Sequence, residues 1–182
     1  MSEGKIIKIG LVGLGHLGKI HLKNLLELSS IFEVIAVYDE NVNSRREISE
    51  MFQVPSVDSY QDLLSRCDVV DIVTPTITHY DLAVEAVKLR KHIFIEKPMV
   101  ESLEEAKRFV SLVDEADVRV QIGHVERFNP AFIAAQQYLE QPMFIETHRL
   151  AQFNPRGTDV PVVLDLMIHD IDIVLSVVKS RV

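Results

Sequence analysis

The sequence predicts an α/β fold: a doubly wound parallel sheet over residues 1–123, followed by the start of a smaller, truncated α+β domain over residues 124–182. Three observations lead there. Short β-branched apolar runs alternate with helix-period segments as far as residue 122, the pattern of a parallel sheet covered on both faces. The first run breaks at a glycine-rich turn, GLGHLG, that opens directly into a helix. After Gly123 the alternation stops.

Taken in order, residues 5–13 (KIIKIGLVG) are apolar and β-branched and end on glycine, which reads as a buried strand. Residues 16–28 carry Leu17, Ile20, Leu25 and Leu28 at helical spacing. A second strand, residues 33–38, ends at Asp39, and helices follow over 44–52 and 60–64. The run VVDIV at 69–73 is a third strand, stopped by Thr74-Pro75. A helix over 80–89, a strand over 92–95, a helix over 102–115 and a strand over 118–122 complete the series. Ser102 with Glu105 three residues on is a capping-box signature for the helix over 102–115. Beyond Gly123, Pro130 opens a helix through Leu139, residues 143–150 (MFIETHRL) alternate like a one-sided strand, and 154–161 form a Pro-, Gly- and Asp-rich loop. Residues 162–178 make a strongly apolar helix, expected to be buried. One strand and two helices cannot close a core of their own, so this second part is expected to be the beginning of a longer substrate and dimerisation domain.

Composition narrows the function. Hydrophobic residues at 47% and charged residues at 25% suit a packed, soluble domain, and a net charge of −8 with no basic stripe argues against a nucleic-acid binder. No apolar run reaches the ~18 residues of a membrane span, and the N-terminus lacks a signal-peptide pattern. Cys67 is the only cysteine, so no intrachain disulfide forms, and it reads as a small core-edge residue. The expectation is a cytoplasmic protein.

The glycine turn carries the first chemical signal. Gly13, Gly15 and Gly18 fit G-x-G-x-x-G between a strand and a helix, the Rossmann dinucleotide fingerprint. Gly13 permits the tight turn, Gly15 admits a pyrophosphate to the backbone, and Gly18 lets the helix pack against the strand. His16 and Leu17 then open a helix whose unpaired N–H groups face the phosphates. Asp39 ends the second strand about twenty residues beyond the turn, where a carboxylate accepts the adenosine ribose hydroxyls and repels a 2′-phosphate. NAD is therefore expected over NADP, with Arg45 and Arg46 the only residues nearby that argue otherwise. Lys97, in Glu96-Lys97-Pro98, follows a strand at the edge where open α/β sheets bind ligands. In the last helix, Asp165, His169, Asp172 and Ser176 share one face of an otherwise apolar segment. Such a stripe marks either a site or an internal hydrogen-bond network.

Together GLGHLG, THY (78–80), EKP (96–98), GHVERFNP (123–130) and DLMIHDID (165–172) resemble the glucose-fructose oxidoreductase, inositol dehydrogenase and MocA family, over essentially the whole chain. The RFNP segment and the DVPVVLDLMIHDID stretch look most like its sugar-nucleotide oxidoreductases. The resemblance implies NAD-dependent oxidation of a secondary hydroxyl of a sugar, sugar nucleotide or cyclitol, such as the 3-hydroxyl of a UDP-N-acetylhexosamine. It implies that Lys97 engages the reacting hydroxyl and the nicotinamide ribose, that Glu96 seats the nicotinamide end, and that Thr74, Pro75 and His79 border the cofactor. Asp165 and His169 stand beside the substrate, His169 as the base, and Arg127 and Asn129 touch substrate or cofactor. No metal is assigned. The full-length form is expected to be a homo-oligomer. An NAD-binding sensor or inactive fragment without turnover stays open as the other reading.

Overall fold

The computed structural model describes residues 5–139, 142–150 and 161–178. The chain divides into two compact units, Met1–Ile122 and Gly123–Val182. The first unit holds five parallel strands, β1 (Ile7–Val12), β2 (Phe32–Tyr38), β3 (Val69–Ile72), β4 (His92–Ile95) and β5 (Val120–Ile122), in the order β2-β1-β3-β4-β5. Helices α1 (His16–Glu27), α2 (Val42–Phe52), α3 (Tyr60–Arg66), α4 (His79–Lys88) and α5 (Leu103–Ala116) connect them. The chain leaves β1 on one side for β2 and returns to the other for β3, so the order reverses between β1 and β3. In an open α/β sheet the ligand crevice lies outside the carboxyl ends of the strands at that reversal.

Strand periodicity sets the two faces. Neighbouring residues on one strand point to opposite sides, so Leu11 and Val37 join Leu14, Leu22, Ile48, Val54 and Val73 in one buried cluster. Val12 and Ala36 join Leu63, Val70, Ile72, Ala83, Ile95 and Phe109 in the other. Both faces are covered, as the apolar strands require. Cys67 is buried in the second cluster, and burial pushes its thiol pKa up. The α5 capping box forms as read: Ser102 Oγ accepts from Glu105 N and Glu105 Oε2 accepts from Ser102 N, each at 3.2 Å. Elements of this unit begin and end within two residues of their expected positions.

The second unit contains α6 (Pro130–Ala135), extended by a 3₁₀ turn over Gln136–Tyr138, and α7 (Ile168–Val177), preceded by a π turn over Val163–Met167. Two expectations are corrected here. Residues 143–150 form no strand, and Met143, Phe144 and Leu150 are exposed. Alternation supplies a side-chain pattern, but a strand also needs a hydrogen-bonded neighbour, and the described residues of this unit contain none. The apolar helix is likewise not buried all round: Val163, Met167, Ile171 and Leu175, four residues apart, are exposed. The loop expected at 154–161 lies almost wholly outside the described residues. Among the described residues no helix is long and apolar enough to cross a membrane.

Candidate active site

The glycine turn is built by close approach. Gly13 has φ 94°, and a Cβ there would lie 2.6 Å from the Val73 carbonyl oxygen, at the point where β3 ends beside β1. A side chain at Gly18 would sit 1.9 Å from the Gly13 oxygen. Both positions demand glycine for the fold itself. Gly15 differs: it has an ordinary φ of −67°, is exposed, and a Cβ added to it would meet nothing within 4 Å. It stands at the start of α1, where no side chain caps the helix. His16 and Leu17 follow, exposed, in the first turn. An open backbone approach beside uncapped helix N–H groups fits a pyrophosphate.

Asp39 is held on both oxygens. Oδ2 accepts from Leu14 N at 2.8 Å and Oδ1 from Asn41 N at 2.8 Å. Each carboxylate oxygen keeps a second lone pair, so ribose hydroxyls remain within its capacity. The carboxylate therefore does two things, of which sequence spacing indicated one: it latches the glycine turn to the end of β2 as well as offering acceptors. Arg45 is turned inward, 8% exposed, with its guanidinium 5.5 Å over the Tyr38 ring and hydrogen-bonded to Asp58 O at 3.2 Å. That leaves Arg46, on the exposed face of α2, as the neighbouring cation. Asp39→Ala is expected to narrow the preference for NAD over NADP, measured by titration calorimetry. It is also expected to cost about 1–3 kcal/mol in a denaturation experiment, because the Leu14 N–H loses its acceptor.

At the ends of β3 and β4 the segments carrying Thr74-Pro75 and Glu96-Lys97 face the same sheet edge. The Thr78 hydroxyl donates to Pro75 O at 2.8 Å and lies 2.7 Å from Thr74 Oγ1, closing the turn after β3. His79 is 1% exposed, with Nδ1 2.9 Å from Pro98 O and Nε2 2.9 Å from Thr74 O. Both ring nitrogens are thus engaged by main chain, so this histidine clamps the two turns together rather than presenting an atom at their surface. Neither partner is visible in local sequence. The Lys97-Pro98 peptide is cis. Glu96 is buried and Lys97 half-buried.

In the second unit the polar residues largely satisfy one another. The Arg127 guanidinium makes a two-pronged hydrogen bond to the carboxylate of Asp172, which is buried on α7. Those bonds raise the Arg127 pKa above its usual range. Asn129 caps α6, its Oδ1 accepting from Ala131 N at 3.0 Å, and its Nδ2 donates to Glu126 at 3.1 Å. Arg149 grips Asp170 through two 2.9 Å bonds, which hold that carboxyl below the usual range. Ser176 Oγ donates back to Ile173 O. Of the expected stripe, Asp172 is thus buried in an ion pair and Ser176 is exposed and bonded to its own helix, while Asp165, in the π turn, and His169, at the start of α7, are half-buried. Among the described residues no cluster of His, Cys, Asp or Glu is arranged to hold a metal ion.

With this geometry in place the relationships are informative. Residues 7–124 match the model of an oxidoreductase family with an NAD-binding Rossmann fold. The chain belongs to that family. Its first unit is an NAD-binding Rossmann domain, and the matched span includes the glycine turn and Asp39. Across 174 residues the chain is 37% identical to the UDP-N-acetylglucosamine 3-dehydrogenase of Acidithiobacillus ferrooxidans, covering 93% of this chain and 53% of that protein. It is 31% identical over 179 residues to the scyllo-inositol 2-dehydrogenase (NAD(+)) of Bacillus subtilis, covering 92% and 52%. A solved structure of the Acidithiobacillus enzyme superposes with a TM-score of 0.89 at 34% identity, over 97% of this chain and 58% of that one. The chain spans about half the length of the curated relatives it matches.

Proposed function

We propose that the protein carrying this chain oxidises a secondary hydroxyl of a sugar nucleotide, with the 3-hydroxyl of a UDP-N-acetylhexosamine as the first substrate to try. The observation that carries this reading is Lys97, two residues past β4 at the carboxyl edge of the sheet that also presents the glycine turn. The similarity to a UDP-N-acetylglucosamine 3-dehydrogenase supports the substrate class. NAD supplies the hydride acceptor when bound. Gly15, His16 and Leu17 hold the pyrophosphate on backbone N–H groups, Asp39 accepts the adenosine ribose, and the Thr74-Pro75 turn and Glu96 border the cofactor. Lys97 polarises the substrate hydroxyl and stabilises the developing alkoxide. His169 takes the hydroxyl proton, since an imidazole exchanges protons near neutral pH. Asp165 orients His169 or binds a neighbouring substrate hydroxyl.

Three of the residues that the resemblance placed beside cofactor or substrate take different roles in this reading. His79 acts through the turns it clamps, Asn129 caps α6, and Arg127 holds the carboxylate of Asp172 on α7. The protein is further proposed to be a cytoplasmic homo-oligomer in its full-length form. The single buried cysteine suits a reducing compartment, and the net charge of −8 disfavours nucleic acid as a partner.

The test is NADH formation by the purified protein given NAD with UDP-N-acetylglucosamine or, separately, with inositols. Reduction of NAD with the nucleotide sugar is expected. Turnover confined to a cyclitol would shift the substrate class, and no turnover with any secondary alcohol of either class would overturn the oxidoreductase reading.

A further inference from the structure

Three elements of the Rossmann unit converge on one imidazole. His21 lies on α1, the helix that opens at the glycine turn. Its Nδ1 is 2.9 Å from Asp71 Oδ2 on β3, and its Nε2 is 3.3 Å from Glu96 Oε1, just past β4. Glu96 Oε2 in turn accepts from the Lys97 backbone N–H at 3.2 Å. Both carboxylates are nearly inaccessible, Asp71 at 3% and Glu96 at 7% exposure.

We propose that His21, bridging Asp71 and Glu96, is the positioning residue that fixes the Glu96–Lys97 backbone at the end of β4. This assignment rests on the oxidoreductase reading only for its catalytic consequence. Two buried carboxylates, one on β3 and one just past β4, repel each other and are costly to desolvate. A cation between them relieves both costs. A neutral imidazole has one N–H and can donate to one carboxylate, whereas an imidazolium donates to both. The groups facing the ring are Asp71 from β3, Glu96 from the segment after β4, and the ring of Phe94 from β4, in a T-shaped contact with centroids 5.8 Å apart. The charged neighbours on its own helix look elsewhere, Lys19 to Glu47 and Lys23 to Glu27.

That geometry also sets the direction in which the groups titrate. Burial alone would lower the His21 pKa, but the hydrogen bonds and charges of Asp71 and Glu96 outweigh it and raise the pKa from 6.5 to about 9. Burial pushes the Asp71 carboxyl up, and its Oδ1 has no hydrogen-bond partner among the described residues. Because the folded-state pKa of His21 is raised, its contribution to stability is full below the ordinary value of 6.5 and is lost as pH rises through about 9. Across neutral pH the bridge is therefore intact, and Glu96 stays aimed at the Lys97 amide.

Nuclear magnetic resonance of the protein tests this without a variant. The His21 ring is expected to titrate with a midpoint near 9, and the Lys97 amide shift is expected to inflect at the same pH. Asp71→Asn should lower both midpoints together. His21→Gln should abolish the Lys97 inflection and reduce kcat by about 10- to 100-fold through misplacement of the turn. In that variant kcat should fall far more than the affinity for NAD, read by calorimetry. In the parent, kcat should decline as pH rises through about 9 and His21 loses its proton, and in the variant that decline should be absent. A His21 midpoint at the ordinary 6.5, or a Lys97 amide indifferent to His21, would overturn the proposal. A parent protein with no dehydrogenase activity would count against the oxidoreductase reading instead, and the resonance measurements would still decide this one.

Discussion

Lys97→Ala is expected to lower turnover by roughly 10²–10⁴-fold, far more than it weakens NAD binding. The asymmetry follows from the proposed task. An ammonium that stabilises a developing alkoxide acts on charge present only in the transition state, so kcat and kcat/KM should fall together. In the same proposal the dinucleotide's main anchors are the glycine turn and Asp39, which is latched to Leu14 and Asn41 without help from Lys97. Lys97→Arg should rescue poorly, because a planar fork does not reproduce a compact point charge on a flexible stem. Steady-state kinetics beside calorimetric NAD binding separates the outcomes. Near-parent turnover in the alanine variant would leave Lys97 a half-buried surface cation with no part in the chemistry.

The second large effect is a contrast between two glycines three residues apart. Gly18→Ala puts a Cβ 1.9 Å from the Gly13 carbonyl oxygen, a backbone atom that cannot rotate out of the way. Helix α1 must then lift off the turn, a cost of about 3 kcal/mol, equivalent to a fall in Tm on the order of 10 °C. Gly15→Ala meets nothing within 4 Å and keeps an allowed φ of −67°, so the melting temperature should not move. The methyl would nevertheless occupy the approach to the α1 N-terminus, and NAD affinity is expected to drop by about tenfold or more. Thermal melts and titration calorimetry on both variants check the pair. Normal NAD binding by Gly15→Ala would show that the pyrophosphate does not lie against this backbone.

The two glycines also mark what can be read from a chain of letters. Strand and helix positions in the first unit follow from local periodicity and from turn and capping residues, all of which act within a few positions of one another. The Ser102–Glu105 box and the break after Val12 are of that kind. So is the dinucleotide fingerprint, whose parts are tied to one strand–turn–helix and to the end of the next strand. Residues 143–150 misled because alternation describes a surface, and a strand exists only when another backbone supplies the ladder.

Sequence alone determined that this chain builds a parallel α/β sheet, where its glycine turn opens a helix, and which residue types stand at the sheet's ligand edge. Tertiary structure decided which of those side chains are turned to internal partners instead. It set Arg45 inward onto Tyr38, placed both nitrogens of His79 against the Thr74 and Pro98 carbonyls, joined Arg127 to Asp172, and brought His21 between Asp71 and Glu96. In each case the partners come from different elements. Backbone periodicity specifies the direction a side chain leaves its own helix or strand, but the polar group it meets depends on how the elements pack, because a buried donor or acceptor must be satisfied by whatever the neighbouring element presents.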